Sequence, residues 1–109
     1  MSRGELLGPL EQLVLLAMIR LDNAYGMTVR REIDERTGRN ISIGAIYTTL
    51  ERLETKGYVS SFQGESTAIR GGRAKRHFRI EAKGRDALRA SADALSSMTQ
   101  GLKPGWSES

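Results

Sequence analysis

From Pro9 onward the apolar residues Leu10, Leu13, Val14, Leu16, Ala17 and Leu21 return every three or four positions, the spacing of one face of an α-helix. Proline suits the first turn of such a helix, where the N–H it lacks would have no partner, so the pattern predicts a first helix from Pro9 to about Leu21. Leu15, Met18 and Ile19 widen the apolar arc almost to a full circle. A helix apolar all round is either central to its domain or also covered by a second chain. Asp22-Asn23 then supplies a turn and a candidate N-cap. A second helix carries Tyr25, Val29 and Ile33 inward and Arg30, Arg31, Glu32, Asp34 and Glu35 largely outward. Gly38, which tolerates positive φ, stops it.

Ser42 can cap a third helix by accepting from N–H groups of its first turn, and Gly57 can close it. At about 100° per residue, Ile43, Ile46, Leu50 and Leu53 share one face, with Ala45, Thr48, Thr49, Arg52 and Lys56 opposite. Tyr58-Val59-Ser60-Ser61-Phe62 reads as a strand leading out, and Arg76-His77-Phe78-Arg79-Ile80 as one returning with Phe78 and Ile80 on the core side. Gly71-Gly72 marks the tip between them. A last helix runs to about Leu102, where Leu88, Ala92, Leu95, Met98 and Leu102 form a seam at near-heptad spacing, and Lys103-Pro104-Gly105 ends it. The order of parts is that of a winged helix. The expected fold class is mainly α with a small β-hairpin: a winged helix-turn-helix domain over residues 1–82, a C-terminal dimerisation helix packed on it over 83–102, and a flexible tail over 103–109.

The chain has 109 residues, 39% hydrophobic and 28% charged, enough for one modest core. It has no cysteine, which removes disulfides and thiolate metal sites and fits a reducing compartment. The longest strongly apolar run, Leu13 to Ile19, falls far short of the roughly 20 residues that span a bilayer. No cationic, cleavable leader precedes it, so the cytoplasm is expected and a membrane partner is not. Charge changes the picture more. Arg70, Arg73, Lys75, Arg76 and Arg79 crowd the turn and return strand without an acid; setting them aside leaves 12 Lys+Arg against 13 Asp+Glu in the rest of the chain. Positive charge focused on one hairpin beside a small-faced helix points to a polyanion held at one place, and double-stranded DNA is the expected partner.

A helix enters the major groove only if its leading side chains are short enough for close approach to base edges. Gly44, Ala45, Thr48 and Thr49, following Ser42, meet that need. Arg52 can reach a guanine or a phosphate, and Lys56 a phosphate. Tyr47 sits at the edge of the apolar arc, suited either to core packing or to a phosphate hydrogen bond. In the wing, Arg70-Gly71-Gly72-Arg73 lets backbone approach a phosphate ridge and an arginine reach a minor groove, while Lys75, Arg76 and Arg79 add attraction. His77, the only histidine, has no cysteine or spaced carboxylates to make a metal site, which leaves a strand-surface or phosphate role. Tyr25 before Gly26 reads as packing, and Trp106 as either free or covering a partner chain. There is no nucleophile elbow, phosphate loop or HExxH, so neither an enzyme nor a cofactor is expected. The competing reading is a winged-helix interaction module that uses the same hairpin on an acidic protein partner.

The string LGPLEQLVLLAMIRLDNAYGMTVRREI, followed by SIGAIYTTLERLETKGYV and RGGRAKRHFRIEAKGRDAL, resembles the PadR family of bacterial transcriptional regulators over roughly Leu7 to Leu88. The resemblance implies a homodimeric repressor on a near-palindromic operator, released in many members by a small-molecule effector. It also implies that the second and third helices form the helix-turn-helix, that the wing touches an adjacent groove, and that the C-terminal helix packs on the partner's N-terminal helix. Leu10, Leu13 and Val14, with Leu88, Ala92, Leu95, Met98 and Leu102, are the expected dimerisation residues. One departure is Glu81, where the family usually has a capping threonine; the loss is about 1 kcal/mol or less. No position matches an effector motif.

Overall fold

The computed structural model describes residues 4–64 and 75–108. Among them the elements run α1 (Pro9–Arg20), α2 (Gly26–Thr37), α3 (Ile43–Thr55), β1 (Val59–Gln63), β2 (Arg76–Ile80) and α4 (Ala82–Thr99). This is the mainly α winged helix-turn-helix that the patterning predicts.

The core gathers around α1, whose Val14, Leu15, Ala17 and Met18 are buried against Val29 and Ile33 of α2 and Ile46, Leu50 and Leu53 of α3. Leu15 and Met18 therefore belong to the inner face, while Leu16 and Ile19 are exposed and Leu10 and Leu13 half-buried. The start of α2 departs from expectation, because neither Asp22 nor Asn23 caps it. Thr28, one turn in, reaches back: its hydroxyl accepts from the Tyr25 N–H at 3.0 Å and donates to the Asn23 carbonyl at 2.7 Å. Gly38 ends α2 with φ of 71°. Arg30 then turns its guanidinium onto the connection to α3, donating to the Ile41 carbonyl at 2.7 Å and to Asn40 Oδ1 at 2.5 Å, which ties the helix-turn-helix together.

Both ends of α3 are held by local chemistry. The Ser42 Oγ accepts from the Ala45 N–H at 3.1 Å. At the other end Gly57, with φ of 80°, lets its own N–H reach the Glu54 carbonyl at 2.9 Å while the Tyr58 N–H reaches the Leu53 carbonyl at 2.9 Å. These paired bonds satisfy carbonyls the last helical turn would leave open. The chain then enters β1, antiparallel to β2 with Ser61 opposite Phe78 and Phe62 opposite His77. The Phe78 N–H, on the outer edge of β2, donates to the Ala24 carbonyl at 2.8 Å, so the hairpin is moored to the α1–α2 connection.

The first turn of α4 lies against Tyr58, the residue before β1, with the Glu81 N–H donating to the Tyr58 carbonyl at 2.9 Å. The Glu81 carboxylate does not cap the helix; it accepts from the Ser60 hydroxyl at 2.8 Å. Ala87, Leu88 and Ser91 are buried on the body, whereas every residue from Ala92 to Thr99 is exposed. The helix leaves the domain and stops at Thr99, three residues before the expected end. The radius of gyration, 16.3 Å, exceeds the roughly 13 Å of a compact chain this size, as a projecting helix requires.

Candidate nucleic-acid interface

The outward face of α3 is narrow. A methyl group added at Gly44 would meet nothing within 4 Å, and Thr48 and Arg52 are exposed beside the half-buried Ala45. No hydrogen bond or ion pair holds the Arg52 side chain among the described residues, so its guanidinium is available to a ligand. Ser42 is exposed, with its Oγ committed to the cap. Thr49 departs from the expected face: it is only 3% exposed, and its hydroxyl donates to the Ala45 carbonyl at 2.8 Å. Burial is tolerable there because that bond satisfies the hydroxyl internally. Tyr47 packs its ring on Gly26, the first residue of α2, where an added Cβ would lie 2.4 Å from the ring, and remains 36% exposed. Glu51 was not anticipated. It is exposed at the Gly44 edge of that outward strip, one turn beyond Tyr47 and Thr48, and it is an acid on a face otherwise small and cationic.

At the base of the wing, aromatic and cationic side chains alternate. Lys75 Nζ lies 4.4 Å from the Tyr25 ring centre and donates to its hydroxyl at 3.1 Å. The Tyr25 ring meets His77 edge-on at 5.3 Å, His77 stacks on Phe62 at 5.6 Å, and the Arg79 guanidinium lies over Phe62 at 4.5 Å. His77 Nδ1 is 3.0 Å from the Lys75 carbonyl, an acceptor, so that nitrogen carries the proton. The histidine is thus the filling of a stack that stiffens the hairpin. Arg76 is different in kind: it pairs with the Glu54 carboxylate, which also accepts from the Ser61 hydroxyl at 2.5 Å, and it covers the Phe78 ring. Its charge is largely answered within the chain. Arg70, Gly71, Gly72 and Arg73 lie outside the described residues.

Lys56 also departs from the role of a phosphate contact. Its ammonium lies 2.9 Å from Glu11 and 3.0 Å from both oxygens of Glu5, and Glu11, 6% exposed, accepts in addition from the Gly8 N–H at 2.9 Å. Burial acts to raise the Glu11 pKa, but the hydrogen bonds from Lys56 and Gly8, with the charges of Lys56 and Arg52, more than reverse it and hold the carboxyl below its ordinary value. The hydrogen bond to Glu11 lifts the Lys56 pKa against the effect of burial, with Glu5 adding to the rise. A depressed carboxylate stabilises the fold above its unfolded pKa and loses that contribution as pH falls through the folded value. A raised ammonium contributes below its unfolded pKa and loses it as pH climbs through the folded value. The cluster therefore supports the fold from about pH 5 to about pH 10. Glu11→Gln should lower the melting temperature at pH 7 while changing it little at pH 3. An equal loss at both would contradict this origin.

The expected dimerisation residues separate into two groups. Val14, fully buried, and Leu88, 7% exposed, belong to the core of their own chain and offer nothing to a partner. Leu10 and Leu13 are half-buried and pack against the core, Ala92 is exposed, and Leu95, Met98 and Leu102 are 54%, 77% and 47% exposed. Leu6, Leu16 and Ile19 are exposed on the same molecule, as is Trp106 in the turns after α4. Among the described residues no helix is long and apolar enough to cross a membrane, and no group of His, Asp or Glu is arranged to hold a metal ion.

Comparison with known proteins accords with this architecture. None of the curated proteins matches the chain. Among solved structures, a PadR family transcription regulator from hypervirulent Clostridium difficile R20291 superposes with a TM-score of 0.73 at 20% identity, covering 85% of this chain and 93% of that one. A transcriptional regulator from Clostridium thermocellum gives 0.70 at 22% identity over 83% and 85% of the two chains, and RosR of H. salinarum gives 0.65 at 21% over 89% and 81%. These likenesses are of fold. The model of the family described as "Transcriptional regulator PadR-like family" matches residues 15–90, most of the chain, from the middle of α1 to the middle of α4. The chain belongs to the PadR-like family of transcriptional regulators.

Proposed function

We propose that the protein is a homodimeric repressor of the cytoplasm that lays α3 in the major groove of double-stranded DNA and the wing in the groove beside it, and that a small-molecule effector releases it. The observation that carries this reading is the slim, open strip of Gly44, Ala45, Thr48 and Arg52 on a helix fixed at both ends, in a domain whose hairpin exposes Lys75 and Arg79. Short side chains allow backbone approach, and the exposed Arg52 guanidinium suits the O6 and N7 of guanine. Glu51 would accept from a cytosine amino group and repel a misplaced phosphate. Arg70 and Arg73 are assigned to phosphate or minor-groove contact from their sequence alone. The exposed apolar residues of α1 and α4 support a second copy, since a patch of that kind on a lone soluble chain is unusual. Two-fold symmetry would then set the recognition helices about 34 Å apart on a near-palindromic site.

Selection of bound fragments from random duplex is expected to return an inverted repeat. On that site, each phosphate contact contributes a log–log salt slope of about 0.9, so three to five contacts per subunit give a steep salt dependence. Arg52→Ala should weaken binding by about 1–3 kcal/mol and relax preference at one base pair, whereas Arg73→Ala should weaken all sequences more evenly. Failure to bind any duplex at low ionic strength, or a monomer in sedimentation with and without DNA, would sink the corresponding half of the reading.

A further inference from the structure

The segment Gly4–Gly8 runs ahead of α1 between the end of the recognition helix and the inner face of α4. At one end, both Glu5 carboxylate oxygens lie 3.0 Å from the Lys56 ammonium, and one accepts from the Tyr58 hydroxyl at 3.2 Å. At the other, the Leu7 N–H donates to the Ser91 hydroxyl at 3.0 Å. Ser91 is 1% exposed, and a hydroxyl so buried has to find its partner inside the protein. The Leu7 side chain is anchored in the core at 3% exposure, and its carbonyl accepts from the Gln12 side chain at 2.9 Å. Lys56 completes the circuit by holding Glu11 of α1. An unbroken series of bonds therefore joins the last turn of α3 to the middle of α4 through a segment with no regular structure of its own.

The geometry points to this arm as a strap that sets the angle between the recognition helix and the C-terminal helix, with Glu5 and Lys56 as positioning residues that do not touch nucleic acid. Charge argues the same way. The Lys56 ammonium is shared by two carboxylates, and a lysine recruited to a phosphate would have to abandon both. Movement of α4 would reach α3 through the strap, so a change at the dimer seam would alter how the two recognition helices sit. That consequence rests on the DNA-binding reading; the strap itself does not.

Glu5→Gln separates the possibilities, because Glu5 is exposed enough for the full chain to fold without its charge. If the acid acts only through its field, removing it beside a polyanion should tighten DNA binding. As a strap residue, its loss is expected to weaken binding to the selected duplex about tenfold with the salt slope unchanged, and to speed hydrogen exchange at the Leu7 amide about tenfold in the absence of DNA. Lys56→Gln should likewise keep the slope, whereas a phosphate contact would reduce it by about 0.9. Tighter binding by Glu5→Gln, undisturbed Leu7 exchange or a reduced slope for Lys56→Gln each overturns the proposal. A wild-type protein that ignores duplex DNA defeats the functional reading alone, and Leu7 exchange still decides the strap.

Discussion

Gly84→Ala is expected to destabilise the protein by about 3 kcal/mol or more, enough to lower the melting temperature by roughly 10 °C or more in a domain this small. Helix propensity predicts the opposite sign, since alanine is favoured over glycine by about 1 kcal/mol inside a helix. Packing decides against it. A Cβ at Gly84 would stand 2.2 Å from the Tyr58 carbonyl oxygen, 3.0 Å from its carbon and 3.1 Å from Ile80 Cγ1. The Tyr58 backbone has little room to yield: its carbonyl accepts from the Glu81 N–H, and its N–H closes α3 on the Leu53 carbonyl. The helix would have to lift away, taking Ala87, Leu88 and Ser91 from the core. Thermal or urea unfolding of the variant reads this directly. A more stable Gly84→Ala protein would mean that α4 does not lie against the Tyr58 backbone.

Phe78→Ala should cost about 3–5 kcal/mol, the range for deleting a buried aromatic ring. Phe78 is 3% exposed at the centre of β2 and, with Val59, is where the hairpin joins the core of the helical body. Its N–H is bonded to Ala24, and its ring carries the Arg76 guanidinium that reaches Glu54 near the end of α3. Losing the ring therefore loosens the wing relative to α3, and on the proposed function duplex affinity should fall even where the variant is still folded. Phe78→Leu, which keeps most of the apolar volume, should cost no more than about 1.5 kcal/mol. Phe62→Ala provides the contrast: Phe62 is 41% exposed on the opposite face of the hairpin, and its loss should cost about 1 kcal/mol. Equal unfolding penalties at 62 and 78 would contradict the observed strand faces.

The start of α3 is readable to the residue because Ser42 is a strong local cap, and its end because Gly57 is a strong local stop. The start of α2 is not, because the group that caps it is a threonine inside the helix acting backwards, a weaker pattern than an Asp or Asn ahead of it. Thr49 shows a similar limit. On a helical wheel it lies beside the apolar arc, and a hydroxyl able to bond to the carbonyl of Ala45 can be buried or left in water at little difference in cost. The leucines of α1 and α4 posed a further ambiguity. A leucine that meets its own core and one left at the surface are chemically the same, so spacing alone groups Val14 and Leu88 with Leu95 and Met98, and only burial divides them.

Short-range chemistry in the chain specified the element order, the caps of α3, the outward and inward sides of β2 and the concentration of cations on the hairpin. Each depends on residues a few positions apart. Which cations keep their charge free for a ligand was decided by folding. Lys56 meets Glu11 across 45 positions and Arg76 meets Glu54 across 22, while the Arg52 side chain ends with no ion pair among the described residues. A Coulomb partner counts by its distance in space, and no local window of sequence holds both members of those pairs.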